Sequence, residues 1–206
     1  MILALIHTAA AATAAAPVTH LALGIAGSGE SVLQDGLVQR YPSLGRSFSG
    51  EVRISAELPW PVEVGLEAGY RRVDGTTTTD TTSWIWYAPV SLVVSGRLDA
   101  GPVALLGGVG PSLVAWQEQG SEAAVAGRQD WGARWGVVAE ATLRYHVPWL
   151  PPSVGGVRSA ALDVFLSGGA RFSDVADSAA AQTCHGDTCG FDWSAMRLSG
   201  GVLFRL

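Results

Sequence analysis

The chain contains no lysine; all 13 of its basic residues are arginine. A solvated surface ordinarily carries Lys, so the absence reads as genome bias. Charge of either sign is scarce, at 15% of 206 residues, where soluble domains carry about 25%. The net charge of -5 offers no basic field for nucleic acid. Beyond the N-terminal segment there is no run of about 20 apolar residues, which excludes a membrane-spanning helix there. What is abundant is apolar and small: 48% hydrophobic residues, 26 Gly, 8 Trp and a mean hydropathy of +0.27. The chain is too apolar for an ordinary soluble domain and too interrupted for a helical membrane protein. Its length suits one domain with a short leader.

Residues 1–16 read as a signal peptide, with an apolar stretch Ile2–Ile6 followed by Ala-rich cleavage options. They lack the usual leading Lys or Arg, and a short N-terminal helix is the alternative. The domain proper is then 17–206. Cysteine is nearly absent. The only two, Cys184 and Cys189 in CHGDTC, close a small loop and suit a disulfide in an oxidising compartment. A metal site with His185 and Asp187 is the rival, without the usual zinc spacing, and free thiols are the third reading. No cofactor is expected.

The rest of the chain alternates. In FSGEVRISAEL, Phe48, Val52, Ile54 and Leu58 take one face against Ser49, Glu51, Arg53, Ser55 and Glu57. Side chains of an extended strand point to opposite faces in turn, so this is a two-faced strand. The pattern recurs in VEVGLEAGYR, WIWYAPVSLVVSGRL, PVALLGGVGPSLVAW, WGARWGVVAEATLRYHV, AALDVFLSGGARF and the C-terminal MRLSGGVLFRL. A first strand, THLALGIAG, is expected to be the shortest. About eight strands result, each near the length that crosses a bilayer at a tilt. Pro59–Pro61, Asp99–Gly101 and the PWLPPSVGG segment read as mostly tight turns. Residues 28–45, 73–83, 117–130 and 173–190 read as long polar loops. Pro89 and Pro111 fall inside strands, where bulges or the barrel rim are expected.

Alternation does not say which face is inside, and a soluble lipocalin-like barrel shares it. The polar face is rich in small residues (Ser49, Ser55, Gly65, Gly69, Gly132, Gly136, Gly169, Gly201), which suits the narrow interior of an eight-stranded barrel. Aromatics sit near strand ends, as in interfacial girdles: Trp84, Trp86, Trp116, Trp131, Trp135 and Trp193 at the long-loop rim, Trp60, Tyr145 and Trp149 at the other. The fold class expected is a closed, antiparallel, up-and-down transmembrane β-barrel of about eight strands.

The ending SGGVLFRL resembles the assembly signal of bacterial outer-membrane barrels, with Ser199, Gly201, Phe204 and Leu206 filling its positions. The mature chain as a whole resembles the OmpA- or OmpX-type barrels. The resemblance implies a monomer in the Gram-negative outer membrane, with the barrel-assembly machinery, membrane lipid and lipopolysaccharide as partners and no nucleic acid. The polar face then becomes the lumen, holding Glu51, Arg53, Glu57, Glu63, Glu67, Arg71, Arg97, Arg134, Glu140, Arg144, Asp163, Arg171, Arg197 and Arg205. Charges out of water must be paired, so a salt-bridge plug is expected, with a narrow ion path as the alternative. Arg46 and Arg72 fall on the lipid-facing parity at the long-loop rim, where Arg can reach lipopolysaccharide phosphate. The function expected is structural or surface-interacting, with no catalytic residue assigned. A lipid A-modifying enzyme and a soluble ligand-binding barrel are the alternatives. The former needs a nucleophile beside a His; His20 and His146 fall at the short-turn end, away from the long loops, and His185 falls in the cysteine loop with no evident partner.

Overall fold

The computed structural model describes residues 18, 20–33, 38, 41–76, 82–120, 129–147, 161–173, 182–185 and 192–206. Its strands are β1 (His20–Val32), β2 (Ser47–Glu57), β3 (Val62–Thr76), β4 (Thr82–Ala100), β5 (Val103–Gly120), β6 (Gln129–His146), β7 (Ala161–Phe172), β8 (Gln182–His185) and β9 (Ala195–Arg205). All but β8 form a closed barrel in which each strand runs antiparallel to its neighbours. Closure is made by β9, which pairs with β7 on one side and β1 on the other. The terminal Leu206 N–H donates to Leu21 O at 2.7 Å. An open edge in lipid would leave backbone groups without partners, at several kcal/mol each. The short β8 pairs with Trp131–Arg134 of β6, beyond the end of β7.

The strands reach further toward the long loops than their hydropathy suggests. β1 has 13 residues and is not the shortest barrel strand; β2 and β9 have 11. β3 and β4 leave only residues 77–81 between them, and β5 and β6 only 121–128. Where both faces of a ribbon meet water the apolar alternation fades, but the hydrogen-bond ladder need not. On the opposite side two turns are tight, while β6 and β7 are separated by 147–160, which is longer than a tight turn. Gly101 carries φ +65 in the β4–β5 turn, the conformation in which glycine alone avoids strain.

The two prolines do not make bulges. The β3–β4 ladder skips from Ala68↔Val90 to Arg71↔Tyr87, and the β4–β5 ladder from Ser91↔Ser112 to Val94↔Val109. Register is identical on either side of each gap, so no residue is inserted. The missing N–H interrupts the ladder and the flanking pairs hold it. Beside Pro111 the strands come close: a Cβ on Gly110 would stand 1.8 Å from Leu92 O.

The outward face carries apolar side chains all around the barrel, including Leu23, Ile25, Leu66, Leu92, Leu105, Leu143, Leu166, Leu198 and Phe204, each more than 40% exposed. Soluble monomers rarely expose contiguous apolar patches beyond a few hundred Å². The inward face carries the buried serines, carboxylates and guanidiniums.

Candidate functional site: the lumen and its long-loop mouth

An eight-stranded barrel is just wide enough for its own side chains to fill it. At the short-turn end Arg144, from β6, reaches Glu63 at 2.6 Å and Glu57 at 3.3 Å. Arg97 meets Glu57 at 2.6 Å and Asp99 at 2.7 Å. Arg205 meets Asp163 at 2.6 Å, and the other oxygen of Asp163 faces His146 Nδ1 at 2.9 Å.

Midway along, Arg53 bridges Glu67 (2.7 Å) and Glu140 (3.0 Å), while Arg197 bridges the same two carboxylates at 2.6 and 2.7 Å and lies 3.7 Å from Glu51. The Ser167 hydroxyl donates to Glu140 at 3.3 Å, and Arg53 lies over the Phe165 ring at 5.6 Å. Nearer the long loops, Arg71 and Arg171 converge on Glu30. Arg71 also donates to the hydroxyls of Ser28 (2.6 Å) and Ser47 (2.7 Å).

Above this ladder the interior becomes apolar. Val32, Val73, Ile85, Tyr87, Val114, Trp116, Trp193 and Ala195 form one buried cluster together with Tyr41 and Leu44 from the β1–β2 connection. The Trp193 ring lies 4.9 Å from that of Tyr87 and 5.4 Å from that of Trp116. The Tyr41 hydroxyl donates to Glu118. Beside the cluster, where β7 leaves the barrel and the chain returns to β9, Asp192 accepts from the hydroxyls of Ser173 (2.5 Å) and Ser194 (2.8 Å) and from Ser194 N–H (2.9 Å). Partial burial pushes the Asp192 carboxyl up, but these hydrogen bonds outweigh it and hold it below the usual carboxylate range.

The fourteen charged residues assigned to the lumen from sequence all stand on the inward face. Thirteen join one another or Glu30 in the pairs above; Arg134 donates Nε–H to Ser173 O at 3.1 Å. Glu30 and Glu118 complete the set and were missed, because both fall in stretches read as loop. The signal was there: Ala26, Ser28 and Glu30 continue the inward parity of β1. Trp116 and Trp193 are not girdle residues. They are 1% and 0% exposed, inside the mouth, because the loop that covers the mouth makes an inward position there as dry as a protein core. Trp131, Trp135 and Tyr145 do face outward, at 47%, 51% and 45%. Trp60 lies exposed in the β2–β3 turn, and Trp149 lies outside the described residues.

Of the terminal motif, Ser199 faces inward, while Phe204 and Leu206 face outward. Gly201 lies at the closing seam, where a Cβ would stand 2.2 Å from Ile25 O. Arg72 faces outward, its guanidinium 4.7 Å above the Trp84 ring and 3.8 Å from Asp74. Next to it Tyr70 and Trp86 stack at 6.3 Å. Cys184 lies in β8, paired with Gly132 of β6; its side chain, that of Arg46, Cys189 and the leader 1–16 lie outside the described residues.

No protein-family model and no curated protein matches the chain. Among solved structures, the outer membrane protein OprG from Pseudomonas aeruginosa aligns over 91% of this chain and 95% of its own, at 12% identity and TM-score 0.53. The chain has the fold of an outer-membrane β-barrel. A major outer membrane protein from Thermus thermophilus (15% identity, 91% of this chain and 100% of that one, TM-score 0.49) and Ail, the attachment invasion locus protein of Yersinia pestis (10%, 91% and 97%, 0.47), are further matches.

Proposed function

We propose that the protein is a monomeric barrel of the Gram-negative outer membrane with a structural or surface-interacting role, that its lumen does not conduct, and that it is not an enzyme. The observation that carries this reading is the filling of the interior. Among the described residues, seven carboxylates and seven guanidiniums pair with one another from the short-turn end to Glu30, with an aromatic core above them and Arg134 and Glu118 beside that core. An ion crossing this interior would have to break pairs that are already desolvated, and removing one partner of such a pair costs about 3–5 kcal/mol. The apolar belt and the neighbours' location support the outer membrane. Arg72, outward beside Trp84 and Trp86, supports contact with the phosphates of lipopolysaccharide, with Arg46 as its sequence-assigned companion. The assembly machinery would read Ser199, Gly201, Phe204 and Leu206.

Two experiments test this. Cell fractionation with gel migration before and after heating should place a heat-modifiable band in the outer membrane; a soluble, heat-insensitive band refutes the reading. Planar-bilayer recordings should show no steps for the wild type. Steady ion conductance would make the lumen a path instead.

A further inference from the structure

Tyr41 and Leu44 belong to no strand, yet both are 0% exposed. Tyr41 precedes, and Leu44 lies within, a single 3-10 turn, Pro42–Arg46, in the connection between β1 and β2. No ladder holds this segment. Leu44 N–H bonds Tyr41 O at 2.9 Å, the Ser43 hydroxyl reaches Asp74 O at 3.4 Å, and the Tyr41 hydroxyl donates to Glu118. Both side chains are also buried in the mouth of the barrel.

The same buried cluster as Tyr41 holds the Trp116, Trp193 and Tyr87 rings, with Trp193 at 4.9 Å from Tyr87 and 5.4 Å from Trp116. Glu118 supplies a buried carboxylate. Trp193 supplies a buried indole N–H that has no hydrogen-bond acceptor among the described residues. Such unsatisfied buried donors are uncommon, and this one lies in the same cluster as the Tyr41 ring. Aromatic walls, an acceptor for a hydroxyl and a spare donor together recognise an aryl ring bearing O–H. Apolar cavities of aromatic size bind free aromatics when emptied.

We propose that the long-loop mouth is a binding site for small phenols, and that Tyr41 is its resident, tethered occupant. A short tether gives the occupant an effective concentration in the millimolar range. A free phenol therefore competes only above that level, and when it does it releases residues 41–46 to the exterior. The inference is independent of whether the lumen below conducts.

The test uses the full chain refolded in detergent, with folding checked by heat-modified gel migration. The probe is p-cresol, the side chain of tyrosine, with toluene as the analogue lacking the hydroxyl. Binding is read from tryptophan fluorescence. Tyr41→Ala should bind p-cresol saturably, at about tenfold or more lower concentration than the wild type. It should prefer p-cresol over toluene by about tenfold or more, and adding Glu118→Gln should erase that preference. No saturable binding by the folded variant, affinity equal to wild type, or equal affinity for toluene overturns the proposal. Should Tyr41→Ala not fold, Tyr41→Phe keeps the ring and removes the hydroxyl. Trypsin should then cut after Arg46 about tenfold faster than in wild type, and p-cresol should accelerate the cut in both. Wild-type cleavage rates with no effect of p-cresol overturn it equally.

Discussion

Replacing Arg144 by Met is the sharpest probe of the lumen. Arg144 is 1% exposed and holds Glu63, also 1% exposed, at 2.6 Å. It shares Glu57 with Arg97, which lies 2.6 Å from that carboxylate and is untouched by the change. The substitution therefore strands one carboxylate, not two. Stranding a buried charge costs about 3–5 kcal/mol. Adding Glu63→Met removes the stranded group, and a buried pair replaced by apolar side chains of similar volume is commonly neutral or better. The double variant should thus lie within about 1 kcal/mol of wild type, and the cycle should show a coupling well above the few tenths expected of independent sites. Reversible urea titrations in short-chain phosphatidylcholine vesicles, followed by tryptophan fluorescence, measure this from the shift in midpoint at constant slope. A cost below about 1 kcal/mol for Arg144→Met, or a double variant as unstable as the sum of the singles, would refute the reasoning that this interior is dry and paired.

Four further outcomes are expected. Gly110→Ala should destabilise the barrel by about 1–3 kcal/mol or more, because its Cβ would meet Leu92 O at 1.8 Å; vesicle titration measures it, and a neutral effect would show the strands part freely. Phe204→Glu should lower the folded level in the outer membrane far more than Arg205→Lys, which keeps a cation opposite Asp163; a lipid-facing charge near the interface costs little by itself, so equal levels would remove Phe204 from the assembly signal. The lowered Asp192 carboxyl stabilises the Ser173–Asp192–Ser194 clasp above the usual Asp value near 3.9, and this contribution is lost as pH falls from there through its lower native value. The stability gap between wild type and Asp192→Asn, read by protease resistance of residues 173–194, should be present at neutral pH and close in acid. Finally, an impermeant thiol reagent should label Cys184 and Cys189 on intact cells only after reduction; labelling confined to lysed cells would invert the topology.

Much of this barrel is a local property of the chain. The period-two alternation from Phe48 to Leu58, or from Val62 to Arg71, fixes a strand and its two faces without reference to anything distant, because backbone geometry alone sends neighbouring side chains to opposite sides. Strand parity placed the lumen charges on one face. Sequence could not decide where alternation ends and the ladder does not, as in β3 beyond Val73, since hydropathy reports the solvent on each face and pairing reports the neighbouring strand. Nor could it give Arg144 its partners: Glu57 and Glu63 lie 87 and 81 positions away and meet it only when the sheet curls shut. The same closure decided the sense of Trp116 and Trp193. Their sequence context is that of rim aromatics, and the inward turn of residues 41–46, bringing Tyr41 to Glu118 across 77 positions, joins them in one buried cluster and makes them a core.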